Sequence, residues 1–350
     1  MKLRNIIVVA SSACALSAPV VAGEGESGNA LTRLADNAEY EINASVTGFF
    51  EGNVGPVADD DDVAFSARFN AKSDTDITDS VRFGIDMYTA YSTQKHEYYG
   101  AFTEPENEAR QPRYIDLNAV WLRYIADDYE LVLGKDYVET GISELYSPSD
   151  RFGLVNAADP TQPYKIGVWH AGIDYFINDD TLTLNIMPIH EKSKLPSDNS
   201  RWLGPSGDAN FRNFTLPVGV AGTASIEDRF HDIRIENMGY LLQYKGTREG
   251  VDFFGLLHHG PSVYPVLRQA PGVNNFEKIE VLATSVAAGA SRVVDRWKIS
   301  VEAIYQVADA NKDEDFIKYS VGVGYRDNDI ANMIGMNEIN TSIQWSGDET

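Results

Sequence analysis

The segment RWKISVEAIYQVAD, residues 296–309, alternates between apolar and polar side chains along almost its whole length. One parity holds Trp297, Ile299, Val301, Ala303, Tyr305 and Val307, and the other holds Arg296, Lys298, Ser300, Glu302 and Gln306. Only Ile304 interrupts the polar parity. Because successive side chains of a strand point to opposite faces, this alternation predicts a strand with one apolar and one polar face. The apolar face covers a core in a soluble sandwich and contacts lipid in a transmembrane barrel.

The same alternation recurs along the chain. It is regular in residues 38–49, 62–72, 80–88, 316–325 and 338–345, and less regular near 112–126, 129–137, 164–178, 180–190, 234–248, 250–260 and 276–292. The sequence therefore predicts about thirteen strands, each close to or above the ~9–11 residues that cross a bilayer.

The connections between these strands alternate between long and short. Long ones occupy 53–61, 92–112, 138–163, 191–233 and 261–275, and tight ones lie at 75–78, 126–128, 178–180, 248–250 and 293–296. An up-and-down barrel with short turns at one end produces this pattern, whereas a Greek-key sandwich does not. We therefore predict an all-β fold, a transmembrane antiparallel up-and-down β-barrel of about fourteen or more strands.

Two features depart from this scheme. Bacterial single-chain barrels generally have an even number of strands, and the sequence stops five residues beyond Trp345. Either one strand escapes the count or the last strand or strands are missing, and we favour the second explanation. Arg123 shares the parity of Leu117 and Trp121. We expect it to face lipid near a strand end, where a long side chain reaches water.

The N-terminus has the pattern of a secretory signal. Lys2 and Arg4 precede an apolar or small-residue stretch over residues 6–22, and Val20-Val21-Ala22 fits a signal-peptidase site before Gly23. We predict a signal peptide over residues 1–22, Sec-type export and a barrel over 23–350. Lipidation at Cys14, the single cysteine, is the weaker alternative because the apolar stretch before it is short.

Charge and hydropathy exclude two classes of protein. The chain carries 29 basic and 52 acidic side chains, for a net charge of -23, so nucleic acid is excluded as a partner. Past the signal, no apolar run is long enough for a transmembrane helix, which excludes a helical inner-membrane protein. A barrel fits the mean hydropathy of -0.28 because its strands are only half apolar.

Residues 134–202 carry a loose set of motifs that suggests a family. These are Gly134-Lys135, Ser147-Pro148-Ser149-Asp150, Pro163 with Trp169, and Pro188 followed by Leu195-Pro196 and Trp202. Together with 255–267 and 296–307, this pattern resembles porin-like outer-membrane proteins that are similar to alginate-export porins. Glu139-Thr140-Gly141 departs from it, since a Trp-Gly pair often follows the first strand end in that group. The resemblance implies a pore whose loop after the fifth strand folds inward.

The side chains of residues 138–163 agree with that implication. The segment contains Val138, Ile142, Leu145, Tyr146, Phe152, Leu154 and Val155, too many apolar groups for a freely solvated loop. We expect the segment to constrict the lumen, and the alternative is a compact external cap over the rim. Residues 191–233 are a second candidate plug or lid, in which 225–233 have the pattern of a short helix.

Ten charged residues are candidates for lining the pore. They are Glu139, Glu144, Asp150 and Arg151 in the first segment, and Arg68, Arg82, Asp86, Asp174, Lys298 and Glu302 on the strands. A pore that carries both signs discriminates weakly by charge, and cross-strand ion pairs that serve only stability are an equal alternative.

No motif indicates catalysis or a cofactor. His258 and His259 point to opposite faces of a strand and cannot chelate one metal. Residues 59–62, four consecutive aspartates, lack the Gly and Glu spacing of a calcium loop and fit a solvated turn better. The chain has no G-x-S-x-G, HExxH or nucleotide-binding loop. We predict neither a metal nor a cofactor, and no enzymatic activity.

The sequence thus predicts a porin-like channel in the outer membrane of a Gram-negative bacterium. Its partners would be membrane lipid and small-molecule solutes, and homo-oligomerisation is left open. A plugged or structural barrel in an export complex shares every strand-level feature, and a secreted soluble β protein is a further alternative.

Overall fold

The computed structural model describes residues 29–48, 63–94, 97–104, 110–159, 163–194, 225–228, 233–262, 266–269, 275–309, 313–327 and 339–349. The expected signal peptide, residues 1–22, lies outside these ranges and stays a prediction. One α-helix, α1 (Ala30–Asp36), begins after Asn29, whose side chain accepts a hydrogen bond from the Thr32 N–H at 3.0 Å. Among the described helices, none has the length and apolar composition needed to span a membrane.

Nearly all other regular structure is β. The strands are β1 (Glu39–Gly48), β2 (Val63–Thr78), β3 (Val81–Ser92), β4 (Ile115–Ile125), β5 (Tyr129–Asp136), β6 (Leu154–Asn156), β7 (Tyr164–Ile166), β8 (Val168–Ile177), β9 (Asp180–Met187), β10 (Ser225–Asp228), β11 (Gly239–Arg248), β12 (Val251–Pro261), β13 (Val266–Gln269), β14 (Asn275–Ile279), β15 (Leu282–Val294), β16 (Trp297–Ala308), β17 (Phe316–Asp327) and β18 (Ile339–Glu349). A 3-10 turn (Ile235–Asn237) precedes β11.

Thirteen of these strands form one sheet, which we call the wall. Its order is β1-β2-β3-β4-β5-β8-β9-β11-β12-β15-β16-β17-β18, and every neighbouring pair is antiparallel. Strands β6 and β7 form a two-stranded sheet, and β10, β14 and β13 form a three-stranded one. The strand number counted from the sequence matches the wall.

Tight turns join alternate pairs of wall strands at one end. They follow β2, β4, β8, β11 and β15, and we call this end the turn side and the opposite end the loop side. Asn178, Glu249 and Asp295 sit in these turns with φ between 51° and 55°. Such positive values match the backbone twist of two-residue hairpins.

The wall has an apolar face that is exposed and a polar face that is covered. On β16, Trp297, Ile299 and Val301 are 50–51% exposed, whereas Ser300 and Glu302 are 6% and 1% exposed. In a soluble sandwich these exposures would be reversed. The apolar face is therefore the outer, lipid-facing one, and the predicted fold class, an antiparallel up-and-down transmembrane barrel, is confirmed.

Ile304, which interrupts the alternation, faces inward. It is 1% exposed and belongs to a buried apolar cluster. The other members are Val138, Phe152, Leu154, Ile166, Val168, Met187, Leu241, Phe254, Leu256 and Ala287. The inner face is thus apolar where a segment of chain packs against it.

The expectation that Arg123 faces lipid is wrong. The β3–β4 register shifts between Asp86 and Met87, because Asn118 is an extra residue on β4. A bulge of this kind reverses the facing of all later side chains. Beyond it Leu122 is 43% exposed, while Arg123 contacts Glu130 at 2.8 Å on the inner face.

The first and last wall strands remain edges. Thirteen is odd, so β1 and β18 run in the same direction along the sheet. Within the described ranges, neither strand has a hydrogen-bonded neighbour along its free edge.

Substituting Val301 by Arg tests the lipid-facing assignment. Val301 is outward at mid-strand, so V301R should destabilise the protein folded in lipid vesicles by about 2–4 kcal/mol. Val294 is on the same face next to the turn side, and V294R should cost only about 0–1 kcal/mol. Urea titration of both variants in vesicles measures the difference, and equal costs at both depths would contradict the assignment.

Candidate functional site

After β5 the chain enters the space enclosed by the wall. We call the described residues 137–159 and 163–167 the lumen segment. It begins beside β4 and β8, the neighbours of β5, yet it contacts β16 and β18, which lie six and eight places away in the sheet order. The segment therefore contacts inward-facing residues of wall strands on the far side from β5.

Glu302 on β16 anchors the lumen segment. Its Oε2 accepts the backbone N–H groups of Ile142 at 2.9 Å and Ser143 at 3.0 Å. Its Oε1 accepts the Ser149 N–H at 2.9 Å, the Ser149 hydroxyl at 2.6 Å and the Ser147 hydroxyl. Five donors thus surround a carboxylate that is 1% exposed. Hydrogen bonds to a buried charge are the strong ones, worth about 1.5–3 kcal/mol each.

A second anchor lies on β18. The Gln344 Oε1 accepts the N–H groups of Leu145 and Tyr146, both at 3.1 Å, and its Nε2 donates to the Tyr146 carbonyl. A planar amide that both accepts and donates fixes one orientation of the backbone. The tip of the segment is therefore held by two wall strands on the far side from β5.

Glu144 adds an ion pair to the wall. Its Oε1 lies 2.8 Å from the Lys298 Nζ, and its Oε2 accepts the Ser342 hydroxyl at 3.3 Å. The hydrogen bond from Lys298 holds the pKa of Glu144 below its usual value. Both side chains are partly exposed, so the pair contributes modestly to stability and leaves charge facing the lumen.

The underside of the lumen segment is apolar. Val138, Phe152 and Leu154 are 5%, 6% and 3% exposed and belong to the same cluster as Ile304. Burying such side chains contributes about 1.5–3 kcal/mol each. Most of the apolar residues of 138–163 therefore have a surface to cover, with the exceptions of Leu145 and Tyr146, which are 64% and 45% exposed.

Two lysines contact Glu139 and Asp150, the other acidic residues of the segment discussed above. The Lys165 Nζ lies 2.6 Å from Asp150 and 3.5 Å from Glu139. From β11, the Lys245 Nζ donates to the Glu139 carbonyl at 3.2 Å. Burial alone would lower the pKa of Lys165, but its pairs with Asp150 and Glu139 raise it above the usual value. The Glu139 side chain remains 70% exposed.

Arg68 on β2 is held between two tyrosine rings. Its guanidinium carbon lies 4.1 Å from the ring centre of Tyr88 and 3.5 Å from that of Tyr164, which belongs to the lumen segment. Its Nη2 also donates to Asn118 at 3.2 Å. Stacking of this kind is typical of arginine at partly desolvated sites. Arg68 therefore ties the returning end of the segment to the wall.

The other four residues that were predicted to line the pore lie on different elements, and each contacts a nearby side chain. Asp86 accepts the Tyr137 hydroxyl at 2.8 Å, and Asp174 accepts the Thr183 hydroxyl. Arg82 contacts Asp76 at 2.8 Å near the turn side. Arg151 is 7% exposed and stacks on Phe316 at 4.7 Å. The ten predicted residues thus do not form one ring, and Glu302 is an anchor rather than an exposed lining group.

The start of the second candidate plug also lies inside. The Lys135 Nζ is 3.0 Å from Glu191, and Lys194 approaches the same carboxylate at 3.7 Å. All three side chains are at most 4% exposed, and burial lowers the pKa of Lys194. Residues 195–224 lie outside the described part of the chain. The short helix expected over 225–233 is wrong in its first residues, since 225–228 form β10.

The sequence did not single out three residues of this site. Gln344 and Lys245 stand on the inward parity of β18 and β11, so the alternation carried a signal for them. Lys165 lies in the lumen segment, where no periodicity applies. In the described ranges, no group of three His, Cys, Asp or Glu side chains could hold a metal ion. His258 and His259 do point to opposite faces, the first against Phe152 and the second against Thr284.

Glu302→Gln should loosen the lumen segment. Glutamine keeps the size but replaces one acceptor oxygen with a donor, so some of the donors that Glu302 serves lose their partner. We expect amide hydrogen exchange at Ile142 and Ser143 to accelerate about tenfold to a hundredfold. Glu41 lies on the inner face of β1, and its hydrogen-bond partners among the described residues are Asn43 on its own strand and Asn70 on β2, so E41Q is the matched control. Unchanged exchange in E302Q would contradict the anchor.

Comparison with known proteins gives no family for this chain. Neither a scan against protein-family models nor a search of curated proteins finds a match. Among solved structures, the chain is similar to the trimer form of in-vitro folded OmpT, an outer membrane protein of Vibrio cholerae. The two sequences are 11% identical, the match covers 89% of this chain and 88% of that chain, and the TM-score is 0.35. A mutant of the Rh. blastica porin has 9% identity, coverage of 82% and 89%, and a TM-score of 0.33. At these values neither likeness supports a functional conclusion, and the resemblance to alginate-export porins stays a prediction.

Proposed function

We propose that this protein is an outer-membrane channel for small solutes whose lumen is narrowed by the lumen segment. The observation that carries the proposal is the anchoring of that segment on Glu302, on the opposite part of the wall from β5. A segment of chain that is fixed across the lumen reduces the cross-section of the lumen without closing the lumen.

The charges at the segment favour selection by size over selection by sign. Glu139 and Glu144 are 70% and 50% exposed, and the cations beside them, Lys165 and Lys298, are 40% and 33% exposed. Carboxylates and ammonium groups therefore face the same water-filled space. Such mixed lining gives no strong barrier to either sign, so we expect small hydrophilic solutes to pass passively.

A second candidate function is a plugged barrel that serves an export complex. The buried apolar cluster and the buried Lys135–Glu191 pair favour it, because both fill space on the inner face of the wall between β5 and β16. Neither function uses catalysis, and the absence of a cofactor and of enzymatic activity stays a prediction.

Conductance in planar lipid bilayers separates these functions. The folded wild type should give stepwise openings, and the double variant E302Q/Q344A should give larger and noisier ones because both anchors of the segment are weakened. E41Q should behave like the wild type.

Each other result has a distinct meaning. A silent wild type together with a conducting E302Q/Q344A variant would support the plugged barrel. Silence of both proteins, when heat-modifiable gel mobility shows that they are folded, would refute the channel.

A further inference from the structure

Asp180 is a carboxylate on the lipid-facing side of the wall. It shares the outward parity of Leu184 and Ile186, which are 40% and 38% exposed, yet it is only 2% exposed. The Arg248 guanidinium covers it, with Nη1–Oδ1 at 2.6 Å and Nη2–Oδ2 at 2.5 Å. The Tyr244 hydroxyl donates to it as well.

Gly246 makes room for this carboxylate. It lies between Tyr244 and Arg248 on the outward side of β11, and a Cβ at this position would collide with the Asp180 carboxylate. The bidentate pair fixes the plane of the guanidinium. Its Nη1 also donates to the Thr247 carbonyl at 3.0 Å, yet the Arg248 side chain is 57% exposed, so part of the guanidinium remains accessible.

A second arginine lies beside Arg248 on the same face. Val251 is the register partner of both Arg248 and Arg292, so the two arginines are two strand spacings, or about 10 Å, apart at the backbone. Arg292 is exposed, and among the described residues it has no ion pair or hydrogen bond through its side chain. Since Asp180 balances one guanidinium, Asp180, Arg248 and Arg292 together carry one net positive charge.

Carboxylates form a separate layer beyond these arginines. Every tight turn on the turn side carries at least one exposed acid, and together these are Asp79, Asp127, Asp128, Asp179, Glu249 and Asp295. Around β11, β12 and β15, the outer surface therefore presents apolar side chains, then arginines, then carboxylates from mid-strand toward the turn side.

The same arrangement occurs again on β17, five places from β9 in the sheet order. Asp327 on β17 has outward parity and is 2% exposed. It contacts Arg296 and accepts the Tyr325 hydroxyl at 2.7 Å. The Trp297 ring lies 4.7 Å from Tyr325, as expected for aromatic residues at a membrane interface.

We propose that the patch formed by Tyr244, Arg248, Arg292 and Glu249 binds the headgroup of a phospholipid that carries a primary amine. The phosphodiester, with one negative charge, contacts the two arginines. The ammonium group, which lies farther from the acyl chains, contacts the turn carboxylates Glu249 and Asp179. This proposal rests on the membrane location of the wall in the proposed function.

Lipid retention measured by native mass spectrometry tests the patch. Full-length protein refolded in detergent is mixed with equal amounts of phosphatidylethanolamine and phosphatidylglycerol. The wild type should retain phosphatidylethanolamine in preference. R248A/R292A should bind it more weakly, by about fivefold for each arginine removed. Arg326, an arginine at the same end of the wall but on the inner face, gives the matched control R326A, which should retain lipid like the wild type.

A second variant tests the carboxylate layer. D179N/E249Q keeps the arginines but removes the partners of the ammonium group, so its preference should move toward phosphatidylglycerol. An unchanged preference in this variant, or a wild type that prefers phosphatidylglycerol, would overturn the proposal. Displacement of the lipid by inorganic phosphate would also overturn it, because the patch would then be a simple anion site.

Failure of this site differs from failure of the proposed function. A wild type that inserts into vesicles and conducts, but shows no lipid preference, would refute the headgroup site alone. A wild type that fails to insert would refute both.

Discussion

The structure depends on one constraint, which is that the apolar faces of the wall strands point away from the enclosed space. Val301 is 51% exposed while its neighbour Glu302 is 1% exposed, and this contrast is the reverse of the one in a soluble β protein. Lipid can solvate the first side chain, but nothing in lipid can solvate the second. Polar groups are therefore collected inside, where each needs a partner from the protein or from water.

The lumen segment provides many of those partners. It binds Glu302 through backbone N–H groups and two serine hydroxyls, and it covers Ile304 two residues farther along the same strand. One face of β16 thus offers a carboxylate and an apolar patch to the same stretch of chain. A buried carboxylate without its donors would be costly, so the anchor and the position of the segment depend on each other. Fixing the segment this way leaves Glu139 and Glu144 facing the remaining space.

The wall was predictable from the sequence because the two-residue period acts locally. The alternation of apolar and polar residues identified the strands, and the alternation of long and short connections identified the two ends. The facing of Arg123 was not predictable, because a single extra residue, Asn118, shifts the register and no local pattern marks it. The partners of Glu302 were not predictable either. Its inward facing followed from parity, but Ile142 is 160 residues away in the chain.

Residues that break the alternation mark the contacts beyond the wall. Ile304 is apolar on the polar parity because the lumen segment covers it. Asp180 is acidic on the apolar parity, and a guanidinium, a phenol hydroxyl and the missing side chain of Gly246 together accommodate it. A carboxylate that only had to avoid lipid would be replaced by an apolar side chain at lower cost, since burying an ion pair rarely gains stability by itself. The retained pair fixes the guanidinium of Arg248 next to Arg292, as the proposed headgroup site requires. The same reasoning applies to Asp327, which orients Arg296 at the next such position along the turn side.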